Sequence, residues 1–300
     1  MKFLSNISRL WHSLPVFVRA VLTGFVITAA GTTPWALLVS LNLKNWPAFP
    51  WAVPPTAIYI WFFWKYVRGA GWPKSNAEER NKNCRAYDLS GDVWAAAIGA
   101  GILGLWSLIL FQNVYSRMVN LPTQSGEDLS GIPVFTLVTS LIMSAIVAGI
   151  TEESGLRGYM QRPLEQQYGP VIAILTTGII FGFMHFTHRE VTFVLLPWYM
   201  GVALVYGALA YITDSIMPGV VLHAVGNMLG ALQLIAGGRS EWQTDLKPKP
   251  LIWESGADTS FWINCLAFIA VTAATVWVYS MLGRTVKKSL EISKGQKTSE

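Results

Sequence analysis

Charge is scarce in this chain. Asp, Glu, Lys and Arg make up 13% of its 300 residues, against roughly 25% in a typical soluble domain, and mean hydropathy is +0.41. The shortage excludes an ordinary soluble enzyme, a disordered chain and a nucleic-acid binder of the basic-patch kind. Cysteine is almost absent too. Cys84 sits in a polar loop and Cys265 in an apolar run. They are expected in different compartments, which excludes a disulfide framework and a Cys-based zinc site. There is no internal repeat, and no low-complexity segment beyond the polar tail 284–300.

What the chain has instead is apolar length. Hydrophobic residues make up 52% of it, gathered into eight runs: 16–42, 49–67, 93–115, 134–155, 171–188, 192–212, 216–236 and 260–282. About 20 apolar residues cross a bilayer core of roughly 30 Å as a helix, and backbone groups in lipid must be satisfied internally. The expectation is an all-α, polytopic integral membrane protein with about eight transmembrane helices. The first run is longer than a signal-peptide core and is read as an anchor. All but six of the 22 Lys and Arg fall on one side of this arrangement, the six being Lys44, Arg117, Arg189, Arg239, Lys247 and Lys249. The positive-inside rule then puts both termini in the cytoplasm. Many of the 14 Trp stand at run ends, among them Trp46, Trp72, Trp198 and Trp262, as an interfacial belt. Arg19 can snorkel to the interface, and His12 is an ordinary interfacial residue.

Ionisable groups inside such runs mark function by default. Three clusters qualify. Thr151-Glu152-Glu153-Ser154-Gly155-Leu156-Arg157 follows the apolar stretch 134–150, Phe181-Gly182-Phe183-Met184-His185 ends another, and His223-Ala224-Val225-Gly226-Asn227 lies within a third. Glu153 and Arg157 are four apart and share a helix face, so Arg157 is expected to pair with Glu153. Gly169-Pro170 is a strong breaker, read as the turn of a helical hairpin. Glu152 and His185 stand at nearly equal chain distances from it, each about 25 Å away at 1.5 Å per residue. Pro163 is expected to kink the intervening helix. Asn227 lies one turn above His223 on the same face. The reading is that Glu152, His185, His223 and Asn227 converge in a cavity open to the cytoplasm. His188 could share the face of His185, but no motif supports it.

The three clusters spell EExxxR (Glu152, Glu153, Arg157), FxxxH (Phe181, His185) and HxxxN (His223, Asn227), in order and without substitution. In this they resemble the CAAX protease and bacteriocin-processing (CPBP, abortive-infection-like) family of intramembrane endopeptidases, over about residues 131–237. The resemblance implies that Glu152 is a general base acting on a water shared with His185. It implies that His223 and Asn227 stabilise the oxyanion, and that Glu153, Arg157 and Phe181 support the site. It also favours a site without a cofactor. Glu152, His185 and His223 would equally make a catalytic zinc set, but an Asn as fourth member suits an oxyanion hole better. The motifs HExxH, GxGD and GxSG of other intramembrane proteases are absent.

The chain accordingly divides into N-terminal helices with a basic loop (1–130), a catalytic helical core (131–237), and an outer loop, last span and basic tail (238–300). The expected partners are the lipid bilayer and a peptide or membrane-protein substrate, with no nucleic acid. The expected location is the plasma membrane if the source is bacterial. Two competing readings are a non-catalytic membrane adaptor or immunity protein and a proton-coupled transporter using Glu and His as a relay. The missing internal repeat argues against the transporter.

Overall fold

The computed structural model describes residues 9–121, 131–187, 193–237 and 250–297. All regular structure among the described residues is helical. Five helices are long and apolar enough to cross a membrane: Val16–Asn45, Gly91–Tyr115, Val134–Tyr168, Phe193–Thr213 and Thr259–Glu291. Pro170–Met184 and Met217–Leu232 are apolar but shorter, and the run 49–67 yields a helix of 15 residues, Val53–Val67. Large side chains such as Phe25, Leu37, Ile109, Trp262, Leu266 and Trp277 are exposed. On a water-soluble surface they would form large apolar patches; here they face lipid. The chain is an all-helical integral membrane protein.

It forms two compact units. The first comprises residues 1–86 and 133–177, the second residues 87–132 and 178–300.

In the first unit, α1 (Val16–Asn45) and α2 (Val53–Val67) are joined by a turn that Asn42 pins. Its amide donates to the carbonyls of Trp46 and Phe49 at 2.7 and 2.9 Å, and its oxygen accepts from the backbone N–H of Ala52 at 3.0 Å. The buried amide thereby satisfies backbone groups that the turn would otherwise orphan. A short polar helix, α3 (Ala77–Cys84), follows and ends at Arg85, which adopts the left-handed conformation with φ +43°. Its Glu78 and Lys82 form an exposed pair at 2.8 Å that holds the Glu78 carboxyl below its ordinary range. The second half of the unit is α5 (Val134–Glu152), a π-helical stretch over Glu153–Met160, and α6 (Gln161–Tyr168). Gly169, at φ +83°, makes the turn into α7 (Pro170–Met184), as its sequence suggests.

The π-helical stretch is the unit's central element, and every residue in it is buried. Proline inside a helix removes a hydrogen bond and clashes with the carbonyl four residues back. Pro163 lies in the first turn of α6, just after the wider i→i+5 winding of Glu153–Met160. α1 crosses this stretch at very close range. A Cβ on Gly155 would stand 2.6 Å from the carbonyl oxygen of Gly24, and one on Gly24 would stand 2.7 Å from that of Gly155. Only two glycines permit that approach, and small-residue contacts are how helices meet in lipid.

In the second unit, α4 (Gly91–Tyr115) lies along α11 (Thr259–Lys297). Ser107 and Thr272 form a hydrogen bond of 2.7 Å between them. With α8 (Leu196–Thr213) and α9 (Met217–Gly237) they enclose a core built on Val93, Ala97, Ala100, Val205, Leu209 and Leu222. The small residues on α4 let the larger ones of α8 and α9 seat against it. Near the end of α4, buried Arg117 donates to the carbonyl of Pro250 at 2.9 Å and pairs with Asp258 at 3.0 Å. It ties the segment holding α10 (Ile252–Ser255) to this unit.

Candidate active site

Glu152 closes α5 and is half-buried in the first unit. Its neighbour Thr151 is fully buried and shares a hydrogen bond of 2.9 Å with Thr32 of α1. Glu153 and Arg157 are both fully buried and pair at 3.1 Å, as their spacing predicts. An ion pair of zero exposure is stable only when well paired and hydrogen-bonded, so this one locks the beginning of the π-helical stretch to its middle.

The remaining motif residues lie in the second unit. α7 ends at Met184 and a single 3₁₀ turn runs from His185 to Thr187. The last carbonyls of a helix lack intrahelical donors, and His185 supplies one from its own ring. Its Nδ1 stands 2.8 Å from the carbonyl oxygen of Phe181. A carbonyl can only accept, so Nδ1 carries the proton and Nε2 carries the lone pair of the neutral imidazole. The FxxxH spacing thus selects a tautomer. Phe181 also packs edge-on to the imidazole at 4.6 Å between ring centres, and Tyr199 of α8 stacks on it at 4.3 Å and 27°.

His223 lies on α9, 7% exposed, with Tyr206 of α8 stacked on it at 5.4 Å and 17°. Asn227 follows one turn later and is half-buried. His188, Arg189 and Glu190 lie outside the described residues. So do Trp242 and most of the outer loop.

Three side chains at these positions escaped the motif reading. Tyr199 and Tyr206 looked like ordinary members of an apolar span. The available signal was their spacing of seven, which places both on one face of α8. Arg85 is the third. Its guanidinium is fully buried against Glu165 and the backbone of Arg157, and nothing local in the sequence marks it. Within neither unit, among the described residues, do three His, Cys, Asp or Glu side chains cluster so as to hold a metal.

Glu152 and Glu153 on one membrane helix, and His185, His223 and Asn227 in other apolar segments, are the kind of ionisable and polar groups that mark function in a membrane protein. Residues 133–229, which contain Glu152, His185, His223 and Asn227, match the family model described as type II CAAX prenyl endopeptidase Rce1-like. Through that segment the chain is similar to the Rce1-like CAAX endopeptidases, the family its motifs resemble. No curated protein and no solved structure matches the chain.

Proposed function

We propose that the protein is an intramembrane glutamic endopeptidase of CAAX-protease type, with Glu152 as general base. The observation that carries this reading is the presence of Glu152, His185, His223 and Asn227, in family order, inside the matched segment 133–229. Glu152 takes a proton from water while the water oxygen forms a bond to the scissile carbonyl carbon. His185 accepts a hydrogen bond from the same water at Nε2, the nitrogen left unprotonated by the Phe181 carbonyl. The carbonyl oxygen becomes an oxyanion that His223 and Asn227 meet with N–H donors, each such donor being worth about 3–4 kcal/mol. Collapse breaks the C–N bond, and the proton held by Glu152 passes to the leaving amine.

The chemistry of Asn227, a donor through its amide, favours a resident oxyanion hole over a metal site built from Glu152, His185 and His223. The substrate is a peptide or membrane-protein tail presented from the cytoplasmic face, where both termini lie, in the plasma membrane if the chain is bacterial.

Glu152→Gln keeps shape and removes the base. Comparing membrane peptides from cells carrying wild type and Glu152→Gln should show the product termini lost, a rate drop of about 10²–10⁴, with an unchanged melting temperature in detergent. Undiminished cleavage by Glu152→Gln overturns the proposal.

A further inference from the structure

The first unit holds a second ionic centre, on a loop that lies outside the segment matched to the family. Arg85 is fully buried. Its Nη1 and Nη2 meet the two carboxylate oxygens of Glu165 at 2.8 and 2.9 Å, and its Nη2 and Nε meet the carbonyl oxygen of Arg157 at 2.7 and 3.2 Å. Gln161 adds a bond to Glu165 at 2.6 Å. The chain just before Arg85 lies directly on the π-helical stretch. A Cβ on Gly158 would stand 3.1 Å from the carbonyl oxygen of Cys84 and 3.2 Å from that of Asn83. One residue further on, Tyr159 donates its hydroxyl to the carbonyl of Val67 at 2.7 Å, where α2 ends.

Two features of this arrangement are costly. A non-glycine residue in the left-handed region is sterically disfavoured, and burying a guanidinium and a carboxylate is strongly unfavourable before pairing offsets it. Because apolar replacements of such pairs are often neutral or stabilising, stability alone is a poor reason to keep one. What the pair does that a leucine could not is fix a carbonyl in space. The carbonyl of Arg157 belongs to the wide stretch that starts immediately after Glu152, an i→i+5 winding that is rare in helices and frequent at functional sites.

We infer that Arg85 is a positioning residue for Glu152: by gripping Glu165 and the Arg157 carbonyl together, it holds the π-helical stretch, and so the end of α5, in one register. The catalytic part of this inference rests on the proposed role of Glu152; the mechanical part does not. Lysine cannot replace arginine here, since it lacks the planar fork that serves the carboxylate and the carbonyl at once.

The test uses the full chain in detergent or nanodiscs, with Arg85→Lys and Glu165→Gln as variants and Glu152→Gln alongside. Hydrogen–deuterium exchange at the amides of 153–160 is read together with kcat, KM and melting temperature. Arg85→Lys is expected to speed exchange at 153–160 by about tenfold, with the amides of α1 unchanged. It is expected to lower kcat by about 10²-fold with KM unaltered, as a misplaced base would. Glu165→Gln keeps the bonds to the Arg157 carbonyl and should give a smaller change of the same pattern, even if Arg85→Lys fails to fold. Unchanged exchange at 153–160 in the folded variants overturns the inference. So does faster exchange with kcat per folded molecule intact. If Glu152→Gln cleaves like wild type, the protease reading falls, and the exchange data still decide whether Arg85 holds the stretch.

Discussion

In the first unit the chain after Glu152 is fixed by charged groups, Arg157 on Glu153 and Arg85 on Glu165. In the second unit His185 and His223 are each fixed by an aromatic face, Tyr199 on His185 and Tyr206 on His223. The two solutions differ in what they constrain. Charge-assisted hydrogen bonds set distance and direction and fail sharply when one partner goes. Stacked rings set a plane and a depth but permit sliding, and each contributes only about 0.5–1.5 kcal/mol beyond its burial. A widened helical stretch that is buried throughout and held in one register has the first kind of support. An imidazole whose proton position is already set by a backbone carbonyl needs only the second.

The contrast can be broken from either side. Arg157→Met should have the largest effect, because it leaves the carboxylate of Glu153 buried without its cation; about 3–5 kcal/mol of stability is expected to be lost, read as a fall in melting temperature in detergent. A loss under 1 kcal/mol would mean that charge is not what holds the first unit. Cys84, fully buried beneath the same stretch, offers an intermediate test. Burial pushes its thiol up to about 12 from an ordinary value of 9.0. Between those values the unfolded chain releases a proton that the folded chain keeps, so stability falls as pH rises, by up to about 1.4 kcal/mol per pH unit, with no effect below that window. Melting temperature against pH should therefore slope more steeply between pH 9 and 11 in wild type than in Cys84→Ser; equal slopes would show that water reaches the thiol. Tyr199→Leu should have the smallest effect, about 0.5–1.5 kcal/mol, while moving the imidazole resonances of His185. A loss as large as that of Arg157→Met would erase the distinction between the units.

Much of this was legible from residue spacing. The i,i+4 relation of Glu153 and Arg157 announced their pairing, Gly169-Pro170 announced the turn, and the apolar runs announced helices in lipid. What spacing could not reveal lies far apart in the chain or in the backbone itself. Arg85 stands 72 residues from Arg157 and 80 from Glu165, and its charge read as one more loop cation. The π-helical winding of Glu153–Met160 is a backbone feature that residue spacing does not announce. Tyr199 and Tyr206 were hidden by composition, since aromatic residues in an apolar span have many reasons to be there.

The crossing of α1 over Gly155 reaches beyond its own geometry. Anyone trimming this protein to residues 133–229 would keep every motif letter and strip away the surface on which the lettered helix rests: Gly24, Thr28 and Gly31 all press on residues 151–160. Such a fragment would expose to lipid or detergent a face shaped to meet bare backbone. Leading helices that look like anonymous anchors are, in this molecule, half of the mould in which the acid is cast.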